Sequence, residues 1–140
     1  MSVRAAFRAQ GDACGALGSP FMARLMPLIA DRLEPGGAVA DRILGWTGDP
    51  YPSGDSVPLR LAGALHALKI EGLALSEAYP PKTVDDDALW RAVSAALEAH
   101  AARILAWLDS PPQTNEVRRA VALLPALGRV GTRYGQPVEL

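Results

Sequence analysis

Seven residues in a row, Gln113-Thr114-Asn115-Glu116-Val117-Arg118-Arg119, bring together amides, a hydroxyl, a carboxylate and two guanidiniums. Pro111-Pro112 precede them, and the apolar run Ala120 to Leu127 follows. Thr114 or Asn115 is suited to cap a helix, with Glu116 in the favourable first turn. On such a helix Asn115 and Arg119 share a face, as do Thr114 and Arg118, because residues four apart are neighbours. Glu116 lies three residues before Arg119 and can pair with it. Two readings fit. One is a capped helix start with a solvated first turn. The other is a half-site in which amide, guanidinium, carboxylate and free first-turn N–H groups grip a carboxylate or another polar substrate.

Other chemistry-bearing residues are sparse. His66 and His100 are the only histidines. They have no metal-ligand spacing, so each is expected to pack on a helix or meet a polar neighbour, and no metal site is expected. Cys14 is the single cysteine, which excludes an internal disulfide and a thiolate zinc cluster. Its place on an apolar helix face predicts a core thiol. Asp85-Asp86-Asp87 lack the alternation of a calcium loop and suit a helix start. Tyr51 sits in the loop Gly48-Asp49-Pro50-Tyr51-Pro52-Ser53-Gly54-Asp55, which reads as a connector or as a lid over a ligand. Trp46, Trp90 and Trp107 suit partly buried amphipathic positions. No catalytic residue stands out.

Composition predicts what carries these residues. The chain has 140 residues, enough for one domain with a core. Hydrophobic residues make up 49%, with 25 Ala and 19 Leu against 13 Val and Ile together, which favours helix over sheet. Net charge is −1 from 14 basic and 15 acidic residues, with no basic stripe for nucleic acid and no polybasic membrane segment. No apolar stretch is long enough to span a bilayer and no signal core is visible, so the expected setting is cytoplasmic.

Periodicity predicts an all-α, irregular bundle of five to seven helices over residues 1–135, with a short C-terminal extended segment at 136–140. The first helix covers about Val3 to Leu17, with Ala6, Phe7, Gln10, Cys14 and Leu17 on one side. Ser19-Pro20 starts the second, where Pro27 would kink or break it. A short helix carries Val39, Ile43 and Trp46. The helix Val57–Glu71, capped by Ser56 or Asp55, is apolar nearly all round and belongs in the centre. The longest helix runs from about Val84 to Leu108, with Leu89, Val93, Leu97, Ile104 and Leu108 inward. The last begins at Thr114 or Asn115 and bends at Pro125.

Several pieces of the chain resemble a bacterial family of uncharacterised proteins, domain of unknown function twenty-three thirty-two. They are Phe7-Arg8-Ala9-Gln10 with Cys14, Leu17-Gly18-Ser19-Pro20, the stretch Pro58 to His66, Gln113 to Val117, and Leu123 to Leu127. The resemblance implies polar residues of interest at Gln113, Thr114, Asn115, Glu116 and Arg119, with Arg60 and His66 in the second motif. It also implies a longer protein, in which a strand like Val138-Glu139-Leu140 continues into a glycine-rich turn similar to the cofactor loop of class I methyltransferases. S-adenosylmethionine is then a possible cofactor of the full-length family, with no cofactor site in this chain. The expected role is a substrate-cap or accessory domain for a missing C-terminal α/β domain. The alternatives are a helical module that dimerises through exposed apolar surface and a stand-alone binder using the Asn115–Arg119 face.

Overall fold

The structure, a computed structural model, describes residues 1–110. The polar segment Gln113–Arg119, the helix expected after it, the bend at Pro125 and the extended segment 136–140 lie outside the described residues. Within them the fold is all-α. Six helices form an irregular bundle: α1 (Val3–Ala16), α2 (Pro20–Arg32), α3 (Ala38–Leu44), α4 (Val57–Ile70), α5 (Asp86–Ala99) and α6 (Ala101–Leu108). No strand occurs among the described residues.

The helix ends follow from short polar side chains at the turns. Ser2, Ser19, Ser56 and Asp85 each accept a backbone N–H from the first turn of α1, α2, α4 and α5. Ser19 serves two helices. Its N–H reaches the Cys14 carbonyl at 3.0 Å, while Gly18, at φ 97°, donates to Gly15. That left-handed glycine closes α1. Leu17 caps the same end and is 65% exposed, so it does not share the inner face expected of it.

Pro27 neither ends nor splits α2, which runs unbroken from Pro20 to Arg32. Gly11 of α1 lies against its ring: a Cβ at Gly11 would stand 2.9 Å from Pro27 Cδ and 3.2 Å from Met26 Cβ. The α1–α2 pair therefore packs closely around the proline. Arg4 donates to the Ala30 carbonyl at 2.7 Å and Arg8 pairs with Asp31 at 2.7 Å, aligning the two helices.

The expected single helix from Val84 to Leu108 is two helices. His100, at φ −120° and ψ 33°, separates α5 from α6. The break changes partners: α5 packs on α2 and α3, whereas α6 packs chiefly on α4. Leu89 and Val93 of α5 and Ile104 and Leu108 of α6 are all fully buried. Two of the three aspartates tie α5 to α2, Asp86 to Arg24 and Asp87 to Arg32, both at 2.7 Å.

Helix α4 is the central element, with eleven of its fourteen residues buried. Leu61, Leu65 and Leu68 are fully enclosed with Phe7, Met26, Ile29 and Ile104. Each such side chain removed from water contributes about 1.5–3 kcal/mol. Beyond α4, Leu75, Ala78 and Tyr79 fold back into the core, and Phe21 meets Tyr79 with ring centroids 4.6 Å apart. Trp46 lies past the end of α3, under the Arg42 guanidinium at 4.2 Å.

Candidate functional site

A charged residue inside an apolar helix must find partners, and Arg60 of α4 finds several. Its side chain is 8% exposed. Nε and Nη2 donate to the two carboxylate oxygens of Asp55, at 3.1 and 2.8 Å, a fork-to-fork pair. Nη1 donates to the Leu108 carbonyl at 2.8 Å and to the Ser110 carbonyl at 2.5 Å. One guanidinium thus joins the loop before α4 to the last turn of α6. Helix-capping chemistry sorts the two candidates at the head of α4: Ser56 caps, and Asp55 turns to Arg60.

A second buried link lies beside it. The Ser56 hydroxyl donates to Gln10 Oε1 at 2.8 Å, tying α1 to the head of α4. Gln10 Nε2 reaches the Cys14 thiol sulfur at 3.7 Å, a weak acceptor. Burial pushes the Cys14 thiol up from its usual range, and the Gln10 contact only partly offsets this. Cys14 is a core thiol, and its burial favours the protonated form. Gln10, Ser56, Asp55 and Arg60 are all at least nine-tenths buried.

Of these residues Gln10 also lines a small pocket of about 330 Å³, with Tyr51, Pro52, Ser53, Gly54 and Leu59. The turn beside it is ordered by one side-chain and one backbone hydrogen bond. Asp49 accepts from the Tyr51 N–H at 2.9 Å, and the Val57 N–H reaches the Pro50 carbonyl at 2.9 Å.

His66 does not join the node. It is six residues from Arg60, about 240° further round the helix. Only 2% of it is exposed, and neither ring nitrogen has a hydrogen-bond partner. Burial, helped by nearby Lys69, lowers its pKa to about 4, so it is a neutral core histidine at pH 7. Tyr79 is a second buried group whose hydroxyl has no partner, and burial pushes its pKa up.

Of the residues singled out by sequence, the structure therefore describes Arg60 and His66 and places them on different sides of α4. Gln113, Thr114, Asn115, Glu116 and Arg119 lie outside the described residues. Sequence reasoning passed over the Gln10–Ser56 link and the Asp55–Arg60 pair. The second had a visible signal, an arginine in an otherwise apolar helix with an aspartate five residues before it. Among the described residues no group of three or more His, Cys, Asp or Glu could hold a metal ion. No helix among them is long and apolar enough to cross a membrane.

Fold and node together define an all-α bundle organised around a buried arginine on its central helix. The chain belongs to a family described as an uncharacterised protein conserved in bacteria (DUF2332), which matches residues 4–140. No curated protein and no solved structure matches it.

Proposed function

We propose that this chain is the helical accessory domain of a methyltransferase-like protein, a cap that presents Gln113–Arg119 to the cofactor cleft of an α/β domain in the cytoplasm. The observation that carries the reading is the hold of Arg60 on Leu108 and Ser110. It secures the backbone three residues before Gln113. A polar segment meant to meet a ligand at defined geometry needs such a fixed base, because a misplacement of about 1 Å can cost 100-fold in rate. A solvated helix cap has no such need.

The test is calorimetric. Titrated with S-adenosylmethionine, the chain alone should give no heat of binding. Heat should appear when the α/β domain of a family member that carries one is present. A micromolar site on the chain alone contradicts the proposal.

A second reading, a dimerising helical module, draws on the exposed Leu17, Ile70 and Leu73, which are 65%, 56% and 49% accessible. Light scattering separates the two. A dimer that persists on dilution favours the module, and a monomer at high concentration favours the cap.

A further inference from the structure

We propose that the polar residues at the head of α4 form a relay through which Gln10 of α1 sets the position of the backbone at the end of α6. Helix α1 packs chiefly on α2, with α4 and α3 as its other main neighbours. The relay is thus a conformational link between two helices that pack mainly on other elements. It consists of residues 10–110 alone, so it goes beyond the cap reading and stands or falls without it.

Three links in sequence make the relay. The Ser56 hydroxyl donates to Gln10 Oε1 at 2.8 Å and accepts the Leu59 N–H at 3.2 Å, so one oxygen ties α1 to the first turn of α4. Asp55 adjoins Ser56, and both its carboxylate oxygens are held by Arg60. Arg60 Nη1 completes the series at the Leu108 and Ser110 carbonyls.

Rigidity carries a shift from one end to the other. Ser56 is 1% exposed, so its hydroxyl hydrogen has no solvent to turn to when the Gln10 oxygen is withdrawn. A buried donor left without an acceptor is costly, so the residue must move instead. The turn before it is braced by the Val57 N–H on the Pro50 carbonyl at 2.9 Å and the Asp55 N–H on the Pro52 carbonyl at 3.2 Å. The movement is therefore passed to the Asp55 carboxylate rather than dispersed in the loop. The guanidinium is planar, with Nε and Nη2 on the two oxygens of Asp55, so a tilt of that carboxylate turns Nη1 with it.

The Leu108 carbonyl shares its peptide group with the Asp109 N–H, which donates to Leu105 at 2.9 Å. Exchange of that amide with solvent, followed by NMR on the ¹⁵N-labelled 140-residue chain, reads the far end of the relay. Gln10→Met keeps the side chain's length but offers only a weak acceptor. It should speed Asp109 exchange about five-fold, the scale of one lost buried hydrogen bond. The Leu33 N–H, which donates to Ile29 at the end of α2, should keep its native rate, although α2 is the main neighbour of α1. Gln10→Glu retains an acceptor oxygen at the same reach and should leave Asp109 within about two-fold of the native rate. In an Arg60→Lys background, where the fork is already lost, Gln10→Met should add less than about two-fold. An Asp109 rate unchanged by Gln10→Met, equal acceleration at Leu33, a Gln10→Glu effect matching that of Gln10→Met, or the same acceleration in the Arg60→Lys background would each overturn the proposal.

Discussion

Arg60 on the central helix donates through Nη1 to the carbonyl of Ser110, 50 residues further along the chain, at 2.5 Å. The same guanidinium holds both oxygens of Asp55. Removing it strands a buried carboxylate from its counter-ion and frees two carbonyls at the end of α6. Arg60→Met should therefore lower the unfolding free energy by about 3–5 kcal/mol, the usual result of breaking one side of a buried pair. Arg60→Lys should restore little, because an ammonium is a point donor and cannot fork to a carboxylate while reaching two carbonyls. Urea denaturation of the native chain and the two variants checks both statements. An Arg60→Lys midpoint equal to that of the native chain would contradict the second.

The contact of Gly11 with Pro27 makes an opposite prediction to helix propensity. Replacing a mid-helix glycine by alanine ordinarily stabilises by about 1 kcal/mol. At Gly11 the new methyl would sit 2.9 Å from the proline ring and 3.2 Å from Met26 Cβ. Neither is the end of a flexible side chain, so α1 and α2 must separate. Gly11→Ala should destabilise by about 1–3 kcal/mol. Thermal melting decides it, and a raised midpoint would mean that the two helices are not packed this closely.

His66 gives the chain a pH dependence with a definite sign. Its pKa falls from the ordinary 6.5 to about 4 in the folded state. The unfolded chain takes up a proton as pH drops below about 6.5, whereas the folded chain resists until about 4. Stability is therefore full above that window and is lost as pH falls through it, by an amount on the order of 3 kcal/mol from this residue. His66→Leu should flatten the difference between pH 7 and pH 4.5 measured by urea denaturation. Carboxylates contribute to both proteins, so the difference between their slopes is the readout; identical slopes would show that His66 does not stay neutral.

Much of the fold was legible from local chemistry. Ser19-Pro20, Ser56 with Pro58, and the aspartates at 85–87 announced helix starts, because a cap needs only residues within one turn. The all-round apolar character of α4 announced its central place. The break at His100 was not legible, because apolar spacing stays in register across it and only the change of packing partner marks it. Leu17 misled for a related reason: its spacing fitted the inner face, but the Gly18 turn carries the chain away there. At the site, Arg60 and His66 stood out by type alone. Their separation round α4, and the reach of Arg60 to Ser110, depend on tertiary contacts that spacing does not encode.

If the bundle holds Gln113–Arg119 ready for an α/β partner, that segment must respond when the partner docks. The most direct measurement is a titration of the ¹⁵N-labelled chain with the separate α/β domain of a family member that carries one, followed by amide chemical shifts. Saturable shifts are expected at Gln113 to Arg119, weakened by Asn115→Ala and by Arg119→Ala, with the α2–α5 face joined by Arg24–Asp86 and Arg32–Asp87 unmoved. Saturation with no shift in that segment, or shifts confined to the α2–α5 face, would contradict the proposed role.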